Sequence, residues 1–251
     1  VRMTRTSGRI QFLGLAFDPI GADDAAHIIA ARARKHEPLA YVATPNVDHL
    51  VRLDRKPELR PLYADAWLNL CDSRILEVFA HVSRLFLPAA PGADIVEHLF
   101  RKYIHRNDAI VVIGGSASIV EAMRSRHDLT DVRWFDAPYG LKDDPTARAQ
   151  CVQFIRKNPA PFVFLTVGSP QQEMIAHEAM TSGECVGVAI CCGAALEFLA
   201  GETKRAPGWM RANRLEWLHR LGSEPGRLWR RYLIDGPRIF NIWRRWVATP
   251  H

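Results

Sequence analysis

Thr44, Asn46 and Asp72 supply a hydroxyl, a carboxamide and a carboxylate, each just past a short apolar run. The runs are residues 39–43 and 67–71. Short apolar runs with a polar exit read as buried parallel strands. In an open α/β sheet, ligands sit beyond the carboxyl ends of the strands. The three side chains would then share one cleft, where together they can orient a sugar and take a proton from a hydroxyl nucleophile. Taken singly, Asp72 reads equally well as a helix cap or a surface carboxylate. Asp48 and His49 read as helix-surface residues.

Two glycine turns follow other apolar runs. Gly114-Gly115-Ser116 comes after residues 109–113 and opens a helix. Backbone N–H groups at such a turn can approach a phosphate, although a plain tight turn explains the glycines too. Gly168-Ser169-Pro170-Gln171-Gln172-Glu173 comes after residues 162–166. There Gly makes the turn, Ser can cap and Pro suits the first helical position. Gln171 and Gln172 can hydrogen-bond a sugar or a uracil, against the plainer reading of a good helix start. Near the end of the chain, Arg227, Arg230 and Arg231 fall at i, i+3 and i+4 and share a helical face. That face is either a solvated basic surface or an anion site, since guanidinium forks match phosphate oxygens.

The elements that hold these residues alternate. Strands are expected at 9–17, 39–43, 67–71, 109–113, 132–135, 162–166 and 186–190. Helices are expected at 22–35, at 74–84, around Val96, Leu99, Phe100 and Tyr103, after Ser116, at 143–157 and after Pro170. Strand–helix alternation argues for a largely parallel sheet with helices on both faces. After Gly201 short basic helices replace strands, which puts a boundary near Lys204. The expected division is a core at 1–203 and a basic, Trp-rich helical appendage at 204–251.

Charge follows the same division. From Lys204 onward there are eleven Lys and Arg against three Asp and Glu, a net of +8, while residues 1–203 carry 22 against 24, a net of −2. Five of the seven tryptophans also lie beyond Lys204. Basic residues mixed with Trp suit an anionic lipid surface or a nucleic-acid backbone. The longest apolar stretch, residues 186–196, is shorter than the about 20 residues a spanning helix needs. No apolar signal core follows the basic start at Val1 to Arg5, so export by that route is not expected. The five cysteines show neither a disulfide framework nor zinc spacing and read as buried thiols of a reducing compartment. The ten histidines show no metal-ligand spacing, there is no Asp-x-Asp, and Asp143-Asp144 reads as a helix start.

Together these stretches resemble the WecG/TagA/CpsF family, glycosyltransferase family 26, from about Ile10 to near the end. The carriers are Thr44-Pro45-Asn46, Leu70-Cys71-Asp72, Ile113-Gly114-Gly115 and the run from Val167 to Glu173. The runs 198–207, 215–221 and 224–232 complete them. The resemblance implies a Rossmann-like fold of the GT-E type. It implies an enzyme that moves a sugar from a UDP-sugar to a polyprenyl-pyrophosphate-linked saccharide, with inversion, for cell-surface polysaccharide. Typical donors are UDP-N-acetylmannosamine, its uronic acid or UDP-glucose. By the same resemblance Asp72 is the general base, Thr44 and Asn46 flank the donor sugar, and Gln172 is a substrate contact. Arg220, Arg227 and Arg230 would close the site over the UDP phosphates, and the tail would also hold the protein peripherally on the cytoplasmic face of the bacterial inner membrane. No cofactor or metal is implied, since arginines and helix N-termini can carry the leaving charge. A soluble pool and a homo-oligomer are both compatible with it.

Two positions depart from the family pattern. Ser73-Arg74 follows the aspartate where many members have Gly, so Arg74 could narrow the sugar pocket or contact an acidic group. Ala89-Ala90-Pro91-Gly92 stands where the family has an Arg before a Thr-Gly step. The rival readings are a non-catalytic nucleic-acid-binding protein and an inert scaffold member of the family; the reading adopted expects no nucleic-acid partner.

Overall fold

A computed structural model of the 251-residue chain describes residues 8–201, 206, 207, 210, 216–223 and 225–249, with the backbone alone for 216, 217, 220, 227, 228, 231 and 232. Six strands form one sheet: β3 (Ala40–Ala43), β4 (Leu68–Asn69), β5 (Ala109–Ile113), β6 (Asp131–Phe135), β7 (Phe162–Leu165) and β8 (Val188–Cys191). Their order is β4-β3-β8-β7-β5-β6 and every pairing is parallel. In β3, β7 and β8 every residue is buried, the pattern of strands covered on both faces.

The covering helices split between the faces. Tyr41, Ala43, Val163, Leu165, Ala189 and Cys191 share one core cluster with α2 (Val47–Arg55), α3 (Pro61–Ala64), α4 (Arg74–Val82), α7 (Pro145–Lys157) and α8 (Gln171–Thr181). Val42, Phe162, Phe164, Val188 and Ile190 share the other with α1 (Ala22–Ala33), α5 (Gly92–Lys102), α6 (Ala117–Arg126) and α9 (Ala195–Ala200). This is the expected Rossmann-like α/β fold. The chain leaving β8 therefore turns to the face opposite that taken by its neighbours β3 and β7. Such a reversal opens a crevice at the carboxyl edge of the sheet.

Residues 9–17 are not a single strand of that sheet. Ile10–Phe12 (β1) and Leu15–Phe17 (β2) form a separate antiparallel hairpin. Leu13 and Gly14 between them have φ of 52° and 81°. Two positive φ values make a tight turn whose twist suits a hairpin, and an unremarkable Leu at the first position hides the signal. All five cysteines are buried and unpaired.

The last helix, Arg238–Ala248, is part of the core packing. Ile239 and Ile242 are buried in the cluster containing α2 and α4, and Trp243 and Trp246 pack against it. Trp243 stacks on Phe79, Trp246 meets Phe12 edge-on, and Trp243 Nε1 donates to Ser83 Oγ at 2.9 Å. Among the described residues no helix is long and apolar enough to cross a membrane.

Candidate active site

The first site residue stands at the exit of β3. Thr44 is 6 % exposed and its Oγ1 donates to the Cys191 carbonyl at 3.1 Å, tying β3 to β8. A Cβ on Gly92, at the start of α5, would lie 3.3 Å from that same oxygen, so α5 covers Thr44 closely. Asn46 then caps α2: its Oδ1 accepts from Asp48 N–H at 3.1 Å.

Asp72 lies two residues beyond the Leu70 N–H bond to Ala43 O. Its own N–H donates to Pro45 O at 3.0 Å, so the β3–β4 pairing continues past both strands. That bond sets the half-buried Asp72 beside the Thr44-Pro45-Asn46 segment. Cys71 beneath it is buried, which pushes its thiol up to about 12. Ser73 caps α4 by accepting from Leu76 N–H, and Arg74 begins that helix, 4.0 Å from Glu77. The returning loop closes this corner through Ala90 N–H to Cys71 O and Ala89 N–H to Glu77 Oε1.

At the β5 exit, Gly114 has φ of 84°, and a Cβ there would meet Val167 Cγ1 at 2.5 Å. Backbone conformation and packing against the β7 exit thus account for Gly114 without any ligand. Gly115 follows with φ of 75°, and Ser116 caps α6 through Ile119 N–H.

The β7 exit differs from its sequence reading. Helix α8 begins at Gln171, with Pro170 preceding it after a cis peptide bond, and Ser169 does not cap it. Ser169 Oγ instead accepts from Arg52 at 2.8 Å and lies 3.4 Å from the Tyr63 hydroxyl. Gly168, with φ of 77°, has open space where a side chain would be. Gln171 is half-buried, while Gln172 is 4 % exposed. The Gln172 amide donates to Glu173 Oε1 at 2.9 Å and its oxygen accepts from Gly193 N–H at 3.0 Å, bridging α8 to the β8 exit.

His49 is not a surface residue: it is 7 % exposed, and its ring faces both Asn46 and Glu173. The reason is its place three residues after the cap, where a side chain reaches back to the cap residue. Asn46 N–H donates to His49 Nδ1 at 3.2 Å. An Asn cap followed three residues later by a polar side chain was the available signal. Glu173, wholly buried, had none beyond its place in the motif. Burial would raise its carboxyl, but the facing His49 ring and the neighbouring Gln172 and Ser169 outweigh it and hold Glu173 below the usual range.

Thr44, Asn46, Asp72, Gly114, Gly115, Gly168, Ser169, Gln171 and Gln172 thus stand along one edge of the sheet. Arg74 lies at its β4 corner. Arg230 is exposed and begins a π-helical segment, Arg230–Asp235, so α-helical spacing does not carry from Arg227 to Arg231. The side chains of Arg220 and Arg227 lie outside the described residues. A hydroxyl, a carboxamide and a carboxylate at one strand-exit corner are suited to binding a sugar and deprotonating a hydroxyl.

A sequence profile of the glycosyl transferase WecG/TagA/CpsF family matches residues 10–250. With nearly its whole length matched, over an α/β sheet carrying these residues on its carboxyl edge, the chain belongs to the WecG/TagA/CpsF family of glycosyl transferases.

Proposed function

We propose that this glycosyl transferase moves a hexose or hexosamine from a UDP-sugar to a polyprenyl-pyrophosphate-linked saccharide, inverting the anomeric centre, in the synthesis of a bacterial surface polysaccharide. The observation that carries this reading is the 3.0 Å bond from Asp72 N–H to Pro45 O, which sets Asp72 beside the Thr44-Pro45-Asn46 segment. The Asp72 carboxylate takes the proton from the acceptor hydroxyl as its oxygen attacks the anomeric carbon. The bond from that carbon to the UDP oxygen breaks on the opposite face, and UDP departs with the electron pair. Thr44 and Asn46 hold the donor sugar, and Gln171 and Gln172 complete its contacts.

The leaving diphosphate lies toward the turns at Gly114, Gly115, Gly168 and Ser169, which lead into α6 and α8; the Gly114 N–H itself is taken by Phe135 O at 2.9 Å. β4 and β5 stand four places apart in the sheet, about 19 Å at about 4.8 Å per strand, the scale of a nucleotide sugar laid along the edge. Arg220, Arg227 and Arg230 supply further positive charge from the 204–251 segment, and Arg74 bears on which sugar fits. Arginines and helix N-termini can carry the leaving charge, so this reading calls on no resident metal. Peripheral binding to an anionic bilayer is supported by exposed Val82, Phe86, Phe240 and Val247 beside exposed Arg238, Arg244 and Arg245.

The experiment is transfer from a panel of UDP-sugars to a lipid-linked acceptor, with Asp72→Asn alongside. The variant is expected to lose at least about a thousandfold in kcat while UDP-sugar affinity stays within a few fold, as for removal of an essential base. Turnover near the unsubstituted rate would remove Asp72 from that role.

A further inference from the structure

Glu173 takes no part in the mechanism above, yet it is wholly buried beside the site, where a carboxylate persists only if it is paired. Its Oε1 accepts from Gln172 and lies 3.6 Å from His49 Nε2. On the other side of the ring, His49 Nδ1 meets Asn46 twice, accepting its N–H at 3.2 Å and lying 2.8 Å from its Oδ1. The two Nδ1 contacts ask for opposite states: the N–H needs a lone pair, the oxygen a proton. A carboxylate beside Nε2 favours a proton there, which frees the Nδ1 lone pair for the Asn46 N–H. Asn46 Oδ1 is then left to Asp48 N–H, at 3.1 Å. Among the described residues, His49 Nε2 and Glu173 Oε2 have no hydrogen-bond partner. The 3.6 Å between His49 Nε2 and Glu173 Oε1 is just beyond hydrogen-bond length, as for catalytic bonds that tighten when substrate arrives.

We propose that Glu173 is a positioning residue that acts through His49 on Asn46, fixing the imidazole tautomer and thereby the direction of the Asn46 carboxamide at the donor site. The effect on transfer rests on the glycosyl-transfer reading given above; the effect on His49 does not. Oriented this way, the carboxamide keeps its oxygen on α2 and its amino end turned from the helix. Without the Glu173 charge the proton redistributes between the ring nitrogens, the Nδ1 contacts exchange, and Asn46 samples more than one orientation.

Two measurements on the full chain test this. The first is a kinetic cycle of Glu173→Gln, which keeps the shape and removes the charge, and His49→Gln, which keeps a polar side chain three residues after the cap. Each variant is expected to lose about tenfold or more in kcat with the UDP-sugar KM within about threefold, the pattern of lost orientation rather than lost binding. The double variant is expected to be no slower than the slower single variant. Losses that multiply, or a Glu173→Gln protein with unsubstituted kcat, overturn the proposal. The second is the nitrogen NMR signature of the His49 ring without substrate, assigned by its loss in His49→Gln. The unsubstituted protein is expected to show the Nε2–H form, and Glu173→Gln a growing share of Nδ1–H; identical spectra overturn the proposal. Absence of transfer in the unsubstituted protein would instead remove the glycosyl-transfer reading, leaving the tautomer result to decide whether Glu173 controls His49.

Discussion

Thr44 has two tasks at one oxygen. Its hydroxyl donates to Cys191 O in the core, and the proposed function also gives it a contact with the donor sugar. Thr44→Val keeps the shape and removes the donor, which leaves a buried carbonyl unpaired at about 1–3 kcal/mol. The melting temperature is expected to fall by several degrees, read by calorimetry. Transfer at a temperature where the variant is fully folded is expected to fall further, and Thr44→Ser is expected to restore most of both. A Thr44→Val protein with full activity would leave the hydroxyl a structural role alone.

Glu173 also predicts a pH dependence of stability. Its folded-state value lies below the ordinary 4.5, so the unfolded chain takes up its proton first as pH falls. The contribution is therefore complete above about pH 4.5 and is lost as pH drops through the folded value. Unfolding free energy measured from pH 7 to pH 3 should fall more steeply for the unsubstituted protein than for Glu173→Gln, the two curves converging at the acid end. Parallel curves would show that Glu173 is not held ionised.

At the scale of elements, the site depends on turns that bring neighbouring strand exits into register. Gly114 is the tightest of these. Its φ of 84° disfavours any residue with a Cβ, and that atom would press on Val167. Gly114→Ala is expected to cost about 1–3 kcal/mol in denaturant unfolding, through backbone strain and displacement of the β7 exit. The same change at Gly168, where the space is open, should cost only the strain. Equal losses at the two positions would show that contact with Val167 is relieved without cost. Helix α2 is the other organising element. Its first turn carries Asn46 and His49 at the site, Arg52 reaches Ser169, and Asp54 near its end pairs with Arg245 of the last helix at 2.7 Å.

For the whole molecule, the last helix presents two faces. Ile239, Ile242, Trp243 and Trp246 recur at i, i+3, i+4 and i+7 and turn inward. Phe240 and Val247 remain exposed next to arginines, and Phe240 meets Phe79 of α4 edge-on at 5.1 Å. Val82 and Phe86, the latter 76 % exposed, extend the surface from the end of α4. Basic charge around exposed aromatics suits an anionic bilayer. The double change Phe86→Ser, Phe240→Ser is expected to weaken sedimentation with anionic vesicles about tenfold or more, since each aromatic withdraws about 1.5–3 kcal/mol of burial. Binding to neutral vesicles should be weak before and after. Unchanged sedimentation would move the membrane contact elsewhere.

The amino-acid sequence alone determined the layered sheet and the polar exits, because both follow from local periodicity. Residues 39–43 and 162–165 are apolar without alternation, which suits strands covered on both faces and little else of that length. Thr44 and Asp72 were legible for the same reason, each standing where an apolar run stops. The 239, 242, 243 and 246 spacing was equally present, but the local excess of charge draws attention outward, and only packing against Phe12 and Phe79 shows that those side chains face the core. The partnership of His49 with Glu173 was not legible, since no local rule joins residues so far apart in the chain. The strand order, with β8 between β3 and β7, was likewise decided by the tertiary structure. Only when α2 and α8 pack on the same face do the starts of both helices meet beside one buried ring. A polar residue's burial depends on what the rest of the chain brings to it.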